Sequence, residues 1–185
     1  PICMAKPIWV EPTEISCSHR WQGQHRLGCD IRPTSDIVKQ QGATHLAIVA
    51  EQGKANVFNG VMFLDVGDTY SVFVHELAHW AGFVDEYPLS EGLANLHCNT
   101  TTAPNMIFEG KLTYAPLSTV AEWQDAEGAM VISPTRTCRN VGKIAYKPSS
   151  RMTFMEFHDS NYIPELYLSM WKLRLSNPAL HYPVY

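Results

Sequence analysis

The stretch that decides how this chain is interpreted is HELAHWAGFVD, residues 75–85. Its two histidines, His75 and His79, are four positions apart, so a helix presents both on one face within reach of a single metal ion. Gly82 favours a left-handed turn that ends such a helix. We expect this turn to bring Asp85 back towards the metal, where its carboxylate completes a three-ligand set and leaves one position for water.

Glu76 directly follows the first histidine, which places it beside that open coordination position. A carboxylate there can accept a proton from water, as a general base does. We therefore predict a Zn²⁺ site in which the two histidines and the aspartate are ligands and Glu76 is the catalytic base. Glu86 is an alternative third ligand whose spacing fits less well. The other histidines are scattered along the chain and are interpreted as structural or exposed: His19, His25, His45, His97, His158 and His181. His158 is the exception among them, because its place in the chain could bring it to the cleft.

This region also resembles a known family. Residues 75–85 resemble the metzincin zinc-peptidase signature, in its variant with aspartate as third ligand. The extension Asp85-Glu86-Tyr87 is similar to that of secreted metallopeptidases of the IgA-peptidase type, and its Asp-x-Tyr pattern also resembles snapalysin. Residues 63–65 resemble the strand that leads into the active-site helix of snapalysin. The specific match covers residues 63–87, and the remainder matches only in the order of its elements.

The resemblance implies a methionine turn beneath the metal. Met155, in a Thr-x-Met arrangement, is the preferred candidate, and Met152 is the alternative. Some metzincins place a tyrosine two residues after that methionine, but Phe157 stands there in this chain. A tyrosine that stabilises the transition state must then come from elsewhere, with Tyr87 as first choice and Tyr162 as second.

The function implied by the motif and the resemblance is that of a secreted zinc endopeptidase acting on a polypeptide or glycoprotein substrate. Residues 56–62 would form an edge strand that binds an extended substrate by strand addition. A rival interpretation is a glycoprotein- or glycan-binding module that keeps zinc for stability without catalysis, since 11% of the residues are aromatic. A zinc hydrolase acting on a non-peptide amide is chemically allowed but has no feature in its favour.

The pattern of apolar residues predicts an α+β fold with a small mixed sheet before the central helix. A loop-rich C-terminal part, with a helical segment near residues 120–127, follows and ends in a helix. We expect Leu166, Met170 and Leu173 to face inward in this helix, with Trp171 as a further candidate. We expect one catalytic domain, 1–185, with an N-terminal subdomain 1–82 and a C-terminal subdomain 83–185. The predicted strands are 7–10, 45–50, 56–58 and 61–64, and the predicted helices are 36–41, 70–81 and 165–175. The almost wholly apolar strand 45–50 is expected to be buried at the centre of the sheet.

Composition narrows the class of protein. With 185 residues and a net charge of -4, the chain is about one domain long and lacks the basic character of nucleic-acid-binding proteins. An apolar fraction of 45% excludes disorder. No apolar run approaches the ~20 residues of a membrane-spanning helix. We expect a monomeric, extracytoplasmic protein, a location that also suits the low charged fraction of 17% and the 12 prolines.

The five cysteines form no CxxC pair, which argues against a zinc knuckle or a thioredoxin-type site. We predict two disulfides and one free thiol: Cys98–Cys138, and one pair among Cys3, Cys17 and Cys29. The alternative is five free thiols in a reducing compartment. Because the chain starts without a methionine or a charged and apolar leader, we expect a processed or excised fragment whose targeting segment is absent.

Overall fold

The computed structural model describes residues 3–11, 13–100, 103–108, 123 and 132–177. Helices and strands alternate irregularly along them, so the α+β prediction is confirmed. The elements are β1 Cys17–Ser18, β2 Gly28–Cys29, α1 Ser35–Gln40, β3 Leu46–Ala50, β4 Asn56–Phe58, β5 Val61–Asp65, α2 Tyr70–Trp80, α3 Glu91–Thr100, β6 Ile107–Phe108, β7 Ser133–Thr135, β8 Ala145–Lys147 and α4 Glu165–Leu175.

A three-stranded mixed sheet precedes α2, as predicted. Its order is β3-β5-β4, with β3 parallel and β4 antiparallel to β5. The β4–β5 hairpin turns at Asn59 and Gly60, whose φ values of 50° and 77° match the Asn-Gly preference of a two-residue turn. The segment predicted as an edge strand is therefore β4 plus this turn and the first residues of β5.

The centre of this sheet is β5 rather than β3, which corrects one expectation. The apolar run at residues 45–50 predicts a buried central strand, but Val49 in β3 is 61% exposed. In β5 the first four residues are all buried. The sequence does not distinguish the two runs because both are short and almost wholly apolar, and only the pairing order decides which is covered on both faces.

The strand predicted at residues 7–10 is wrong. The structure assigns no strand there, and Trp9 is 95% exposed. A strand needs a partner for its backbone hydrogen bonds, and no described strand pairs with this segment. The apolar residues at 7–10 are therefore not sufficient to predict a strand.

The chain divides into two compact units after Glu76, and the second unit is Leu77–Ser176. This unit contains an antiparallel sheet of order β6-β8-β7, which the loop-rich prediction did not include. Its core gathers Val84, Leu89 and Phe108 with residues of α3. The predicted helical segment at 120–127 lies outside the described residues except Trp123, which is helical and fully buried.

Helix α3 was also not predicted. Gly92, Asn95 and Asn99 are poor helix formers, so its sequence resembles a loop. Ala94 and Cys98, four residues apart on one face, are both buried and hold the helix against the core. Tertiary packing therefore outweighs the low intrinsic propensity of this segment.

Helix α4 follows Pro164 as predicted, but its buried face differs. Leu166, Tyr167 and Met170 are buried, whereas Leu173 is 73% exposed. The indole Nε1 of Trp171 donates to the carbonyl oxygen of Leu77 in α2 at 3.0 Å. The buried face thus keeps Leu166 and Met170 of the predicted stripe, leaves out Leu173, and includes a tyrosine that the apolar pattern left out.

The disulfide prediction is confirmed. Cys98 in α3 is bonded to Cys138, and Cys17 in β1 is bonded to Cys29 in β2, leaving Cys3 as an exposed free thiol. Among the described residues, no helix is both long and apolar enough to cross a membrane.

Candidate metal centre

Helix α2 carries three side chains of the predicted site. His75, Glu76 and His79 lie in its last two turns, and the helix ends at Trp80. His75 is 7% exposed and Glu76 5% exposed, so both are buried. The His79 side chain is 19% exposed. A continuous helix therefore holds the two histidines four residues apart, as the sequence predicts.

A Schellman turn ends this helix at Gly82. The Gly82 amide donates to the carbonyl oxygen of His79 at 2.9 Å, and the Phe83 amide donates to that of Ala78 at 3.1 Å. Gly82 has φ +81°, a left-handed conformation that is energetically unfavourable for residues with a Cβ atom. A Cβ atom built at Gly82 would meet nothing within 4 Å, so the backbone conformation, and not crowding, is the reason for glycine.

The turn brings Asp85 to the two histidines. Ligand atoms of His75, His79 and Asp85 all lie within 4.8 Å of one another. Asp85 Oδ1 is 3.2 Å from His79 Nε2, and the Asp85 side chain is 14% exposed. These three residues, which we call the ligand cluster, could hold a metal ion.

The chemistry of the ligand cluster fits zinc. Two imidazoles and one carboxylate form a ligand set that Zn²⁺ uses in catalytic sites, where water takes the remaining position. The Nδ1 atom of His79 lies 2.8 Å from the carbonyl oxygen of Phe83. Such a second contact is the usual support of a metal-binding histidine, since it fixes the tautomer and the ring orientation.

The backbone around Asp85 is held by two polar side chains from elsewhere in the second unit. Asn105 bonds Val84 twice: its Oδ1 accepts from the Val84 amide at 3.0 Å, and its Nδ2 donates to the Val84 carbonyl at 2.9 Å. The hydroxyl of Thr137 donates to the Asp85 carbonyl at 2.8 Å. The peptide groups on both sides of the aspartate are therefore fixed.

Glu86, considered as an alternative ligand, is engaged elsewhere. It is fully buried and lies outside the ligand cluster. Its Oε1 accepts from Tyr167 Oη at 2.6 Å and Asn105 Nδ2 at 3.2 Å. Its Oε2 accepts from Lys147 Nζ at 3.0 Å and Thr153 Oγ1 at 2.5 Å. Burial and the charge of Glu86 raise the pKa of the Tyr167 phenol well above its ordinary value, so this phenol remains a donor.

The segment with the two candidate methionines forms a tight turn. The Glu156 amide donates to the Thr153 carbonyl at 3.0 Å. Met155 is fully buried within this turn, whereas Met152 is 54% exposed. The Met155 carbonyl accepts from the Glu86 amide at 3.0 Å, which joins the turn to the residue after Asp85. The burial of Met155 and its contact with Glu86 both favour Met155 over Met152 as the methionine of the predicted turn.

The two candidate tyrosines lie in different surroundings. Tyr87 is half-buried, two residues after Asp85. The ring of Tyr162 is covered by the Arg151 guanidinium, 3.6 Å from the ring centroid. A stacked guanidinium restrains that ring, so Tyr87 remains the first choice, and its role stays a prediction.

The sequence did not single out His97, but the structure relates it to the ligand cluster. His97 is in α3 and interacts electrostatically with Asp85 and His79. Burial lowers the pKa of His97, the charge of Asp85 opposes that shift, and His79 adds to it. No sequence signal identifies this neighbour because it depends on α3, a helix that the sequence pattern does not predict.

No protein-family model matches the chain, and no curated protein matches its sequence. A functional assignment therefore depends on the ligand cluster and the residues around it. Those residues combine three side chains that could hold a metal ion, a buried glutamate next to the first of them and a glycine turn that connects them.

Proposed function

We propose that this chain is a secreted, zinc-dependent endopeptidase of the metzincin type. The observation that carries the proposal is the ligand cluster, formed by His75, His79 and Asp85, with Glu76 on the same helix. A structural zinc site is normally closed by four protein ligands, whereas three ligands leave a position for water. Among the residues that the structure describes, three form the group, and this count favours catalysis over a zinc ion that only stabilises the fold.

Zinc held by these three residues would polarise a substrate carbonyl and lower the pKa of its water to about 7. Glu76 then accepts the proton as the water attacks the peptide carbonyl, and later delivers it to the leaving amine. Burial of Glu76 keeps bulk water away from this transfer. Tyr87 is the proposed donor to the oxyanion that develops on the carbonyl oxygen.

The proposed substrate is an extended segment of a polypeptide or glycoprotein. The resemblance implies that such a segment pairs with an edge strand, and β4 is at the edge of its sheet. Two disulfides suit an oxidising, extracellular environment, which supports the proposed secretion. A monomer is the proposed state.

The test is cleavage of a peptide library, with products identified by mass spectrometry. We expect the wild-type protein to cleave with zinc, to stop when a chelator removes the metal, and to recover when zinc returns. Glu76→Gln should keep zinc and lose roughly 10²- to 10⁴-fold in turnover. Glu91→Gln, at an exposed position in the first turn of α3, is the matched control and should cleave like wild type.

Undiminished cleavage by Glu76→Gln would overturn the assigned base. A wild-type protein that binds zinc and cleaves no peptide in the library would favour the zinc-stabilised binding module instead.

A further inference from the structure

We propose that Glu86 is a positioning residue for the metal centre: its buried carboxylate fixes the turn that carries Asp85. This inference rests on the proposed zinc site. It concerns affinity for the metal, and so it is measurable without any assay of peptide cleavage.

The Glu86 carboxylate has a hydrogen-bond donor at each of its four acceptor sites. Two donors bind each oxygen, and Tyr167, Lys147, Thr153 and Asn105 supply them. Hydrogen bonds to a charged acceptor are shorter and stronger than those between neutral groups. Since the four donors come from four separate parts of the second unit, the carboxylate is fixed from several directions at once.

The negative charge of Glu86 is balanced by basic side chains inside the protein. The side chain of Lys147 is 5% exposed and contacts both Glu86 and Glu156, with its Nζ 2.7 Å from Glu156 Oε2. Arg136 approaches the other oxygen of Glu156 at 3.5 Å. Two basic and two acidic groups therefore balance. Removing the Glu86 charge would leave buried Lys147 with one carboxylate partner in place of two.

The hydrogen bonds of Glu86 are connected to the backbone around Asp85. Glu86 is the next residue after Asp85, and its amide donates to the Met155 carbonyl. Asn105 bonds both the Glu86 carboxylate and the backbone of Val84, so one side chain spans the aspartate from both sides. The Glu86 carboxylate thus helps to hold Asn105, and Asn105 in turn holds the backbone next to Asp85, which sets where the carboxylate of Asp85 lies.

A purely structural role makes a different prediction. If the network only stabilised the second unit, weakening it would lower the free energy of unfolding and leave the zinc affinity of the folded protein unchanged. If it positions Asp85, zinc affinity falls even where the metal-free protein is fully folded. Partners that orient metal ligands typically contribute 10- to 100-fold to metal affinity.

The experiment measures zinc affinity by competition with a chelator, at a temperature where thermal melts show each metal-free variant to be folded. We expect Glu86→Gln to bind zinc roughly 10- to 100-fold more weakly than wild type. Tyr167→Phe removes one hydrogen bond to Glu86 and keeps the ring, so it should fold and bind roughly fivefold more weakly. Leu166→Ala, a buried control next to Tyr167 in α4, should melt at a lower temperature with unchanged zinc affinity.

Wild-type affinity in Tyr167→Phe, and in Glu86→Gln if it folds, would overturn the positioning role while the zinc site stands. Should Glu86→Gln fail to fold, Tyr167→Phe decides the question. A wild-type protein that binds no zinc would overturn the metal centre itself, which is a distinct outcome.

Discussion

The Nδ1 atom of His79 donates a hydrogen bond to the carbonyl oxygen of Phe83 across 2.8 Å. A carbonyl oxygen can only accept, so the proton of the neutral ring resides on Nδ1 and Nε2 keeps its lone pair. That Nε2 atom is the one that lies 3.2 Å from Asp85 Oδ1. The turn at Gly82 thus has two effects: it brings the aspartate near, and it selects the tautomer that can bind a metal.

Replacing the third ligand tests the composition of the ligand cluster. Asp85→Ala leaves two histidines, and we expect zinc affinity to fall by roughly 100-fold or more. Elemental analysis after dialysis measures the zinc retained. Asp36→Ala, at an exposed position in the first turn of α1, should stay loaded like wild type. A fully loaded Asp85→Ala protein would show that another residue is the third ligand.

Gly82 and Gly92 offer a matched pair of substitutions. Both have open space around an added Cβ, but Gly82 has φ +81° and Gly92 lies within α3. We expect Gly82→Ala to lower the free energy of unfolding by about 1–2 kcal/mol and to weaken zinc binding. Gly92→Ala should instead be neutral or stabilising by about 0.5 kcal/mol. Equal stabilities in denaturant titrations would contradict the left-handed turn.

The two disulfides should contribute unequally to stability. Cys98 and Cys138 are 40 residues apart in sequence, whereas Cys17 and Cys29 are 12 apart. The chain-entropy model gives about 4 kcal/mol for the longer loop and about 3 kcal/mol for the shorter one. Replacing each pair by alanines and comparing thermal unfolding should show the larger loss for Cys98–Cys138. The opposite ranking would mean that effects other than loop closure dominate.

The pH dependence of His97 tests its link to the ligand cluster. Folding lowers the pKa of this imidazole, so the unfolded chain binds the proton more readily. The free energy of unfolding of the metal-free protein should therefore decrease as the pH falls from about 6.5 through the pKa of His97 in the folded protein. Because Asp85 opposes the shift, Asp85→Asn should lower the pKa of His97 further.

Residue-specific NMR titration of metal-free protein measures this change, with the exposed His25 as a reference signal. An unchanged or raised pKa of His97 in Asp85→Asn would contradict the electrostatic interaction between His97 and Asp85.

The features that the sequence predicts well are determined by residues that are close together in the chain. Helix α2 has a regular apolar period, its end depends on Gly82, and the spacing of the two histidines follows from the helix itself. The three residues of the ligand cluster lie within eleven consecutive residues, 75–85, and a single turn brings them together. A site with this local geometry is predictable because few long-range contacts are needed to propose it.

The features that the sequence does not predict depend on distant partners. Glu86 resembles a spare ligand until Tyr167, 81 residues further on, and Lys147 are seen to bind it. Helix α3 has weak propensity and is held by a disulfide and by packing. The order of strands in the mixed sheet likewise cannot be derived from two short apolar runs. In each case tertiary contacts outweigh local preference.

The Asn105 bonds on either side of Asp85 have a consequence for the order of folding. His75 and His79 come together as soon as one helix forms, an event of about a microsecond. Asp85 takes its place only when chain segments 21 to 81 residues away have docked against its neighbours. Closing such loops is slower than forming a helix turn. We therefore expect the two histidines to be close together early in folding and Asp85 to join them late. In a stopped-flow refolding experiment, tight zinc uptake should then coincide with the final structural phase.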